Sequence, residues 1–247
     1  MTEGPLYLYG IVRAEVELPA SCLGVGRAPV RLLEEGALAA IVGDLPTEAY
    51  EARREDLVAH SDVLQTVVAT ADVLPMGFGT VFSSADELTR TFLQPKHDSL
   101  SRMLDAVQVV VEIQVRAEYE PDEIARDIAT SDRPLQKLQA RVRGRDDVQT
   151  KIELGRRFAT VLDQRRYADG RTIVDQLAPV ARDASLGDAP GEYGVVRASF
   201  LVSREDVTRF DAAAEAAAAS LAGRVRIRCV GPLPPYSFVD ASALAVG

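Results

Sequence analysis

A long stretch of strict alternation constrains the fold of this chain more than any other feature of its sequence. From Val109 to Tyr119 every second residue is apolar or aromatic, and polar residues from Glu112 to Glu118 fill the positions between them. Because successive side chains of a strand point to opposite faces, this pattern predicts a strand with one covered and one largely wetted face. Pro121 follows and is expected to end the strand.

The residues before this strand predict an N-terminal α+β domain that covers residues 1–107. Residues 6–12 form an apolar and aromatic run, which is typical of a strand buried on both faces. Residues 30–42 contain two apolar runs on either side of Gly36, and they predict a hairpin in which this glycine takes the positive-φ position.

Two helices are expected in the same domain. Apolar residues at helical spacing, counted from Leu57 through Leu64, predict a helix with one buried face over residues 48–70. Ser84 and the following residues match a capping box and predict the start of a second helix. Pro95 should kink or divide that helix, because proline removes a backbone donor and clashes with the preceding turn.

The second half of the chain begins with a largely helical region. Residues 122–182 carry apolar faces at helical spacing, although residues 137–143 alternate weakly and leave a strand open there. Residues 183–194 contain three glycines and a proline, and they predict a loop.

Two further strands and a helix complete the predicted architecture. Residues 195–202 and 225–229 alternate as strands, and Ser203 is expected to start the helix between them. The order of elements over residues 108–240 predicts a C-terminal α+β sandwich with helices on one face of the sheet. Residues 241–247 are expected to form a flexible tail.

The composition narrows the class of protein. A net charge of −9 and a pI near 4.9 argue against a nucleic-acid-binding protein, which normally carries a basic surface. Cys22 and Cys229 lack the spacing of metal ligands, and we expect them to be small buried hydrophobic residues in a reducing compartment, with a single disulfide left open. No signal sequence and no run of about 18 apolar residues occurs, so we expect a cytoplasmic protein without a membrane partner.

The sequence predicts no catalytic, cofactor-binding or metal site. His60 lies along the apolar stripe of its helix, and we interpret it as a hydrogen-bonded core histidine in preference to a catalyst or a ligand. His97 is expected at the surface, far from any partner for a zinc site. Gly24 and Gly26 resemble the start of a phosphate loop but lack its third glycine, and no other motif nominates a nucleophile or a base.

Three segments together resemble the gas vesicle protein F/L family. They are residues 7–12, the stretch from His60 through residues 73–82, and residues 231–239 with the sequence GPLPPYSFV. They occur in the order and at the spacing of that family across nearly the whole chain. The chain departs from the family pattern at Gly77, where arginine is usual, and at Leu233, where tryptophan is usual.

The resemblance implies a fold and a role that the residue patterns alone do not. It implies two α+β domains, the C-terminal one a modified ferredoxin-like sandwich with extra helices. It also implies a gas vesicle accessory protein, not an enzyme, that accompanies the hydrophobic shell protein during assembly and becomes a minor vesicle component. We therefore hypothesise that the protein binds the shell subunit and limits its aggregation during nucleation.

Two alternatives to this function stay open. The protein could be a scaffold that contacts only other gas vesicle accessory proteins, or a ferredoxin-like domain that binds a small molecule.

The proline-rich C-terminal segment has two interpretations. We favour the one in which Tyr236 and Phe238 pack back onto a domain. In the other, the segment is a docking surface for another vesicle protein.

Overall fold

The structure is a computed structural model that describes residues 4–19, 22–46, 53–143, 147–189, 191–221, 223–240 and 242–244. The chain folds into two compact units. Unit 1 comprises Met1–Glu112 together with Gly231–Gly247, and unit 2 comprises Ile113–Val230. This grouping by contacts places residues 108–112 and 231–240 in the first unit, whereas the sequence-based boundaries place them in the second. Of the expected tail, residues 241 and 245–247 lie outside the described residues, and Leu244 is buried.

Unit 1 is built on a five-stranded antiparallel sheet. Its strands are β1 (Leu6–Arg13), β2 (Val30–Glu35), β3 (Leu38–Asp44), β4 (Leu74–Pro75) and β5 (Val81–Phe82). The order is β2-β3-β1-β4, and β5 also pairs with β1. Gly36 connects β2 to β3 with φ +61°, which confirms the predicted hairpin and its glycine turn. The central β1 is almost entirely buried, as its apolar run predicted.

Helix α1 (Arg54–Val68) covers one face of this sheet. It buries His60, Val63 and Leu64 as predicted. Leu57, which was predicted to be buried, is exposed, and the buried face of the helix begins at Asp56 and His60 instead. The difference arises because Asp56 is buried and caps the start of the helix, which turns Leu57 toward solvent. Part of the predicted helix, residues 48–52, lies outside the described residues.

The predicted capping box starts the second helical stretch. Helix α2 (Ala85–Glu87) leads through a π-helical segment, Leu88–Leu93, into α3 (Gln94–Ala106). The Ser84 hydroxyl accepts a hydrogen bond from the Glu87 backbone N–H at 3.2 Å, as a capping residue should. Pro95 directly follows the π-helical segment, and the backbone stays helical at Leu93 and Gln94, so the stretch changes from π-helix to α-helix next to this proline and is not divided there.

A four-stranded sheet forms the frame of unit 2. It consists of β6 (Val110–Tyr119), β7 (Asp183–Gly187), β8 (Gly194–Ser203) and β9 (Val225–Leu233), in the order β7-β8-β6-β9. Strands β6, β8 and β9 were predicted. The expected loop over residues 183–194 is wrong in its first part, because β7 pairs antiparallel with β8 as the outermost strand of the sheet. Glu112 was predicted on the wetted face of β6, but it is fully buried.

The helices of unit 2 are α4 (Pro121–Ser131), α5 (Arg133–Val142), α6 (Val148–Leu177) and α7 (Val207–Ser220). The alternative strand over residues 137–143 is therefore excluded as far as Val142. Ser203 does not cap α7 as predicted. A 3-10 turn over Arg204–Asp206 separates the two, and the Ser203 hydroxyl accepts a hydrogen bond from Arg182 Nε at 2.9 Å instead.

These helices and the sheet of unit 2 enclose an apolar core. Phe200 on β8 and Phe210 on α7 lie at its centre, with ring centroids 5.2 Å apart. The chain is thus an α+β protein with two sheets, while the ferredoxin-like assignment of its second half stays a prediction. No helix within the described residues is long and apolar enough to cross a membrane.

Candidate interaction site

All three segments that carry the family resemblance meet in unit 1 around one histidine. We define the His60 cluster as Tyr7, Tyr9, His60, Phe78 and Tyr236. The rings of Tyr7, Tyr9 and Phe78 lie 5.7 to 5.8 Å from the His60 ring, centroid to centroid. The His60 side chain is almost fully buried, as expected for a core histidine. Strand β1, helix α1, the segment after β4 and the C-terminal segment each contribute at least one ring.

A continuous chain of hydrogen bonds holds His60 in place. The Tyr7 hydroxyl accepts from the Gly79 backbone N–H at 2.8 Å and lies 3.1 Å from His60 Nδ1. On the other side of the ring, His60 Nε2 lies 2.9 Å from the Tyr236 hydroxyl, which donates to the Met76 carbonyl oxygen at 3.4 Å. A neutral imidazole with its proton on Nε2 satisfies every donor and acceptor in this chain.

Burial controls the protonation of these groups. Desolvation raises the pKa of the Tyr7 hydroxyl to about 12 and lowers the pKa of His60 to about 4. Desolvation likewise raises the pKa of Tyr236. At neutral pH the side chains of Tyr7, His60 and Tyr236 are therefore uncharged.

The C-terminal segment is fastened to unit 1 at further points. The Glu112 carboxylate accepts from both the backbone N–H and the hydroxyl of Ser237, each at 2.8 Å. Gln65 Nε2 donates to the Pro232 carbonyl oxygen at 2.6 Å. These contacts explain why the glutamate is buried, and they support packing of the proline-rich segment onto a domain. Sequence reasoning did not find the pairing of Glu112 with Ser237.

Unit 1 exposes four apolar side chains that belong to the His60 cluster or lie next to its residues along a strand or helix. We define the apolar rim as Leu57, Phe78, Val81 and Tyr236, of which Phe78 is 40% and Tyr236 43% exposed. Val81 lies opposite Tyr7 in the pairing of β5 with β1, and Leu57 precedes His60 by about one turn of α1. The rim is therefore anchored to the cluster on each side. A Cβ atom at Gly77, the position where arginine is usual, would meet nothing within 4 Å.

Charge is distributed unequally between the two units. Unit 1 contains 8 basic and 18 acidic residues, a net charge of −10, whereas unit 2 contains 20 basic and 19 acidic residues, a net charge of +1. Nearly all of the acidity that the composition shows therefore belongs to the unit that carries the apolar rim.

Unit 2 contains a buried polar triad of its own. Asp169 accepts from Arg224 Nη2 at 2.7 Å and from Arg224 Nε at 3.0 Å, and also from the Tyr119 hydroxyl at 2.9 Å. Desolvation and the hydrogen bond to Asp169 raise the pKa of Tyr119. Because all three groups are engaged with each other, the triad ties α6 to β6 and to the start of β9.

Unit 2 also has two surface cavities that bear on a small-molecule function. A cavity of about 400 Å³ is lined by charged residues, but these pair with each other, Arg116 with Glu118 at 2.7 Å and Arg226 with Glu120. A second cavity of about 610 Å³, beside α6 and β7, is mainly apolar and includes Tyr167. In the first cavity, four of the five charged residues therefore engage each other and do not converge on a small ligand.

The described part of the chain contains no group of three or more histidine, cysteine or acidic residues that could hold a metal ion. His97 lies in α3, remote in sequence from His60 and outside the His60 cluster. Cys22 and Cys229 are free thiols in the structure; Cys22 is partly buried, and the expected burial is wrong for Cys229, which is exposed.

The whole of this framework matches one protein family. Residues 5–240 match the family model of the gas vesicle synthesis protein GvpL/GvpF. The chain belongs to the GvpL/GvpF family. Gas vesicle protein F of Streptomyces sp. (strain CB03234) is 34% identical over 239 residues, which cover 95% of this chain and 99% of the relative. Gas vesicle protein L of the same organism is 32% identical over 260 residues, with 94% of this chain and 91% of the relative covered.

Solved GvpL/GvpF structures share the fold. The crystal structure of GvpF from Anabaena sp. PCC7120 superposes with a TM-score of 0.83 at 23% sequence identity, covering 96% of this chain and 98% of that chain. GvpF from Microcystis aeruginosa gives a TM-score of 0.76, also at 23% identity, covering 96% of this chain and 99% of that one. Family membership implies a role in gas vesicle formation.

Proposed function

We propose that this protein is a gas vesicle accessory protein that binds the hydrophobic shell subunit and limits its aggregation while vesicles nucleate. It acts in the cytoplasm, remains as a minor component of the vesicle and catalyses no reaction. Membership of the GvpL/GvpF family supports the general role. The apolar rim of unit 1 is the observation that supports the more specific proposal, binding of the shell subunit.

The apolar rim is suited to bind a hydrophobic partner for three physical reasons. Exposed apolar residues gathered on one surface are typical of protein-binding sites. The hydrogen-bonded cluster beneath fixes the Phe78 and Tyr236 rings in advance, so little side-chain entropy is lost on binding. The net charge of −10 on the same unit repels other copies of the complex and keeps a bound shell subunit in solution.

Co-expression with the shell subunit tests this proposal. We expect the soluble fraction of the shell subunit to rise when the protein is present, and the two proteins to purify together. If the solubility of the shell subunit is unchanged and no complex is recovered, the proposal is wrong. Recovery of a complex with other accessory proteins but never with the shell subunit would establish the scaffold alternative instead.

Surface variants locate the contact. Leu57→Glu adds charge to the rim at a position of α1 that is 48% exposed. We expect it to reduce recovered complex about ten-fold, because burying a carboxylate against an apolar surface is costly. Leu186→Glu is the matched control, since Leu186 is 64% exposed on β7 of unit 2. Equal losses in both variants would show that the rim is not the contact.

A further inference from the structure

The region of α5 and the first half of α6 is basic within a chain that is acidic. Residues 133–166 contain ten arginines or lysines and four acidic residues, a net charge of +6 against −9 for the whole chain. Clustered charge of one sign on a surface creates a potential that selects partners of the opposite sign. The question is which of these cations are free to meet a partner.

Some of the basic side chains are used inside unit 2. Arg157 pairs with Asp132 at 2.5 Å and so ties α6 to the start of α5. Arg165 lies 3.3 Å from Asp127 on α4, and Arg166 pairs with an acidic neighbour on α6 at 2.5 Å. These three arginines fasten the helices to each other, and their role is structural.

Other cations point away from the core, and most of them lack such a partner. Arg133, Lys137 and Arg141 occur at intervals of four residues and so share one face of α5, opposite to buried Leu135 and Leu138. All three are exposed, and Arg141 forms a long ion pair with Glu153 on α6 at 4.0 Å. Within the described residues, neither Arg133 nor Lys137 has an acidic group within 4 Å. This row of charge is available to a ligand.

The adjoining part of α6 adds apolar side chains to these charges. Val148 is 67% and Ile152 44% exposed, one helical turn apart. Arg156 follows one turn later, is also exposed, and has no acidic group within 4 Å among the described residues. Two apolar side chains next to positive charges on a helix form an amphipathic surface. A purely ionic ligand would contact the charges but not the apolar side chains.

We propose that the outer faces of α5 and the first half of α6 bind an acidic amphipathic helix of a partner protein. We define this surface as the basic hairpin face: Arg133, Lys137, Arg141, Val148, Ile152 and Arg156. Carboxylates one turn apart on the partner helix match the spacing of the cations on α5. Aliphatic residues on the same helix cover Val148 and Ile152. This surface is separate from the apolar rim, and the inference does not depend on shell-subunit binding.

Charge and shape favour a protein over other anionic ligands. Nucleic-acid binding rests on many phosphate contacts, and a domain of net charge +1 with a handful of free cations supplies few. A membrane surface needs a continuous apolar face to insert, and two aliphatic side chains provide little of one. An acidic helix uses both the charged row and the apolar pair.

A synthetic peptide provides the direct test. The probe is a fluorescein-labelled helical peptide of about 18 residues, with glutamates one turn apart beside a leucine stripe, and its binding to the full chain is followed by anisotropy. We expect saturable binding that weakens about ten-fold between 50 and 200 mM salt, because salt screens the ionic part. The same peptide with lysines in place of glutamates should not bind.

Paired variants separate this surface from general charge. Arg133→Glu with Lys137→Glu should weaken binding at least ten-fold, since it reverses the charged row. Arg209→Glu with Arg228→Glu changes the net charge equally at other exposed positions of unit 2 and should leave binding within about two-fold. Ile152→Ser should weaken binding about five-fold through lost apolar contact, with thermal unfolding used to check that each variant is folded.

Several results would overturn the inference. If the peptide does not bind, or if the two charge-reversal variants lose peptide affinity equally, the basic hairpin face is not a specific binding site. Polyglutamate binding as tightly as the peptide would show a general anion effect. Tighter binding of a single-stranded oligonucleotide or of anionic phospholipid vesicles, sensitive to the same variants, would assign the surface to those ligands.

Discussion

His60 should make the stability of the protein fall as the pH drops from neutral to about 5. Burial lowers the pKa of His60 to about 4, whereas an unfolded histidine titrates near 6.5. The unfolded chain therefore takes up the proton first as the pH falls. The stabilisation is fully present above pH 6.5, and it is lost progressively between pH 6.5 and pH 4.

The size of this loss follows from the two pKa values. At pH 5 an unfolded histidine is almost wholly protonated, while about nine tenths of the folded protein still has neutral His60. The difference in proton uptake between pH 7 and pH 5 amounts to a loss of about 2 kcal/mol in the free energy of unfolding. A loss of this size is a substantial share of the stability of a typical domain.

Urea unfolding followed by circular dichroism at pH 7 and pH 5 measures the effect. His60→Gln removes the titrating group but keeps a side chain that can bond both tyrosine hydroxyls, so its stability should change little between the two pH values. His97→Gln removes the one other histidine of the chain and serves as the matched control. We expect His97→Gln to lose stability as the wild type does.

The reasoning is refuted if His60→Gln loses as much stability as the wild type between pH 7 and pH 5. It is also refuted if the wild type shows no loss in that window. The first result would assign the pH dependence to other groups, and the second would mean that His60 is readily protonated in the folded protein.

Three further substitutions test individual contacts. Asp169→Asn should cost about 3 to 5 kcal/mol in chemical denaturation, because it removes the buried carboxylate that balances the charge of Arg224, whose side chain is 17% exposed. Asp175→Asn, in an exposed pair, should cost less than about 1 kcal/mol, and equal costs would contradict the assigned role. Gly24→Ala should lower the melting temperature strongly, because the new Cβ would overlap the hydroxyl group of buried Tyr9. Gly77→Ala should leave the melting temperature nearly unchanged, because its Cβ meets nothing within 4 Å, and a large drop would show that this position is packed.

Periodic patterns predicted most elements of the fold but placed some side chains wrongly. The apolar stripe of α1 correctly predicted the burial of His60 and Leu64, yet it also placed exposed Leu57 inward. The capping contacts of Asp56 set the rotation of that helix, and hydrophobic spacing does not record them. Strand β7 was missed because its sequence, DASLG, has one large apolar residue, and an edge strand can form through backbone pairing alone.

The candidate site was predicted in its parts and not as a whole. The sequence identified a core histidine and an aromatic C-terminal segment, but it gave no reason to join His60 to Tyr236, which lie 176 residues apart. Glu112 belongs to the predicted wetted face of β6 by alternation, and its buried carboxylate accepts hydrogen bonds from Ser237, 125 residues later. Contacts of this range depend on how the elements pack, which local sequence patterns do not specify.

The return of the C-terminal segment to unit 1 has a consequence for the order in which the protein can be made. On the ribosome, residues 1–112 emerge long before residues 231–237, with the whole of unit 2 synthesised between them. Until then, the His60 Nε2 atom and the Glu112 carboxylate lack partners that they have in the finished fold. The nascent N-terminal half is therefore less stable than it is in the complete protein. The ring of Tyr236 can join the His60 cluster only after nearly the entire chain has been translated.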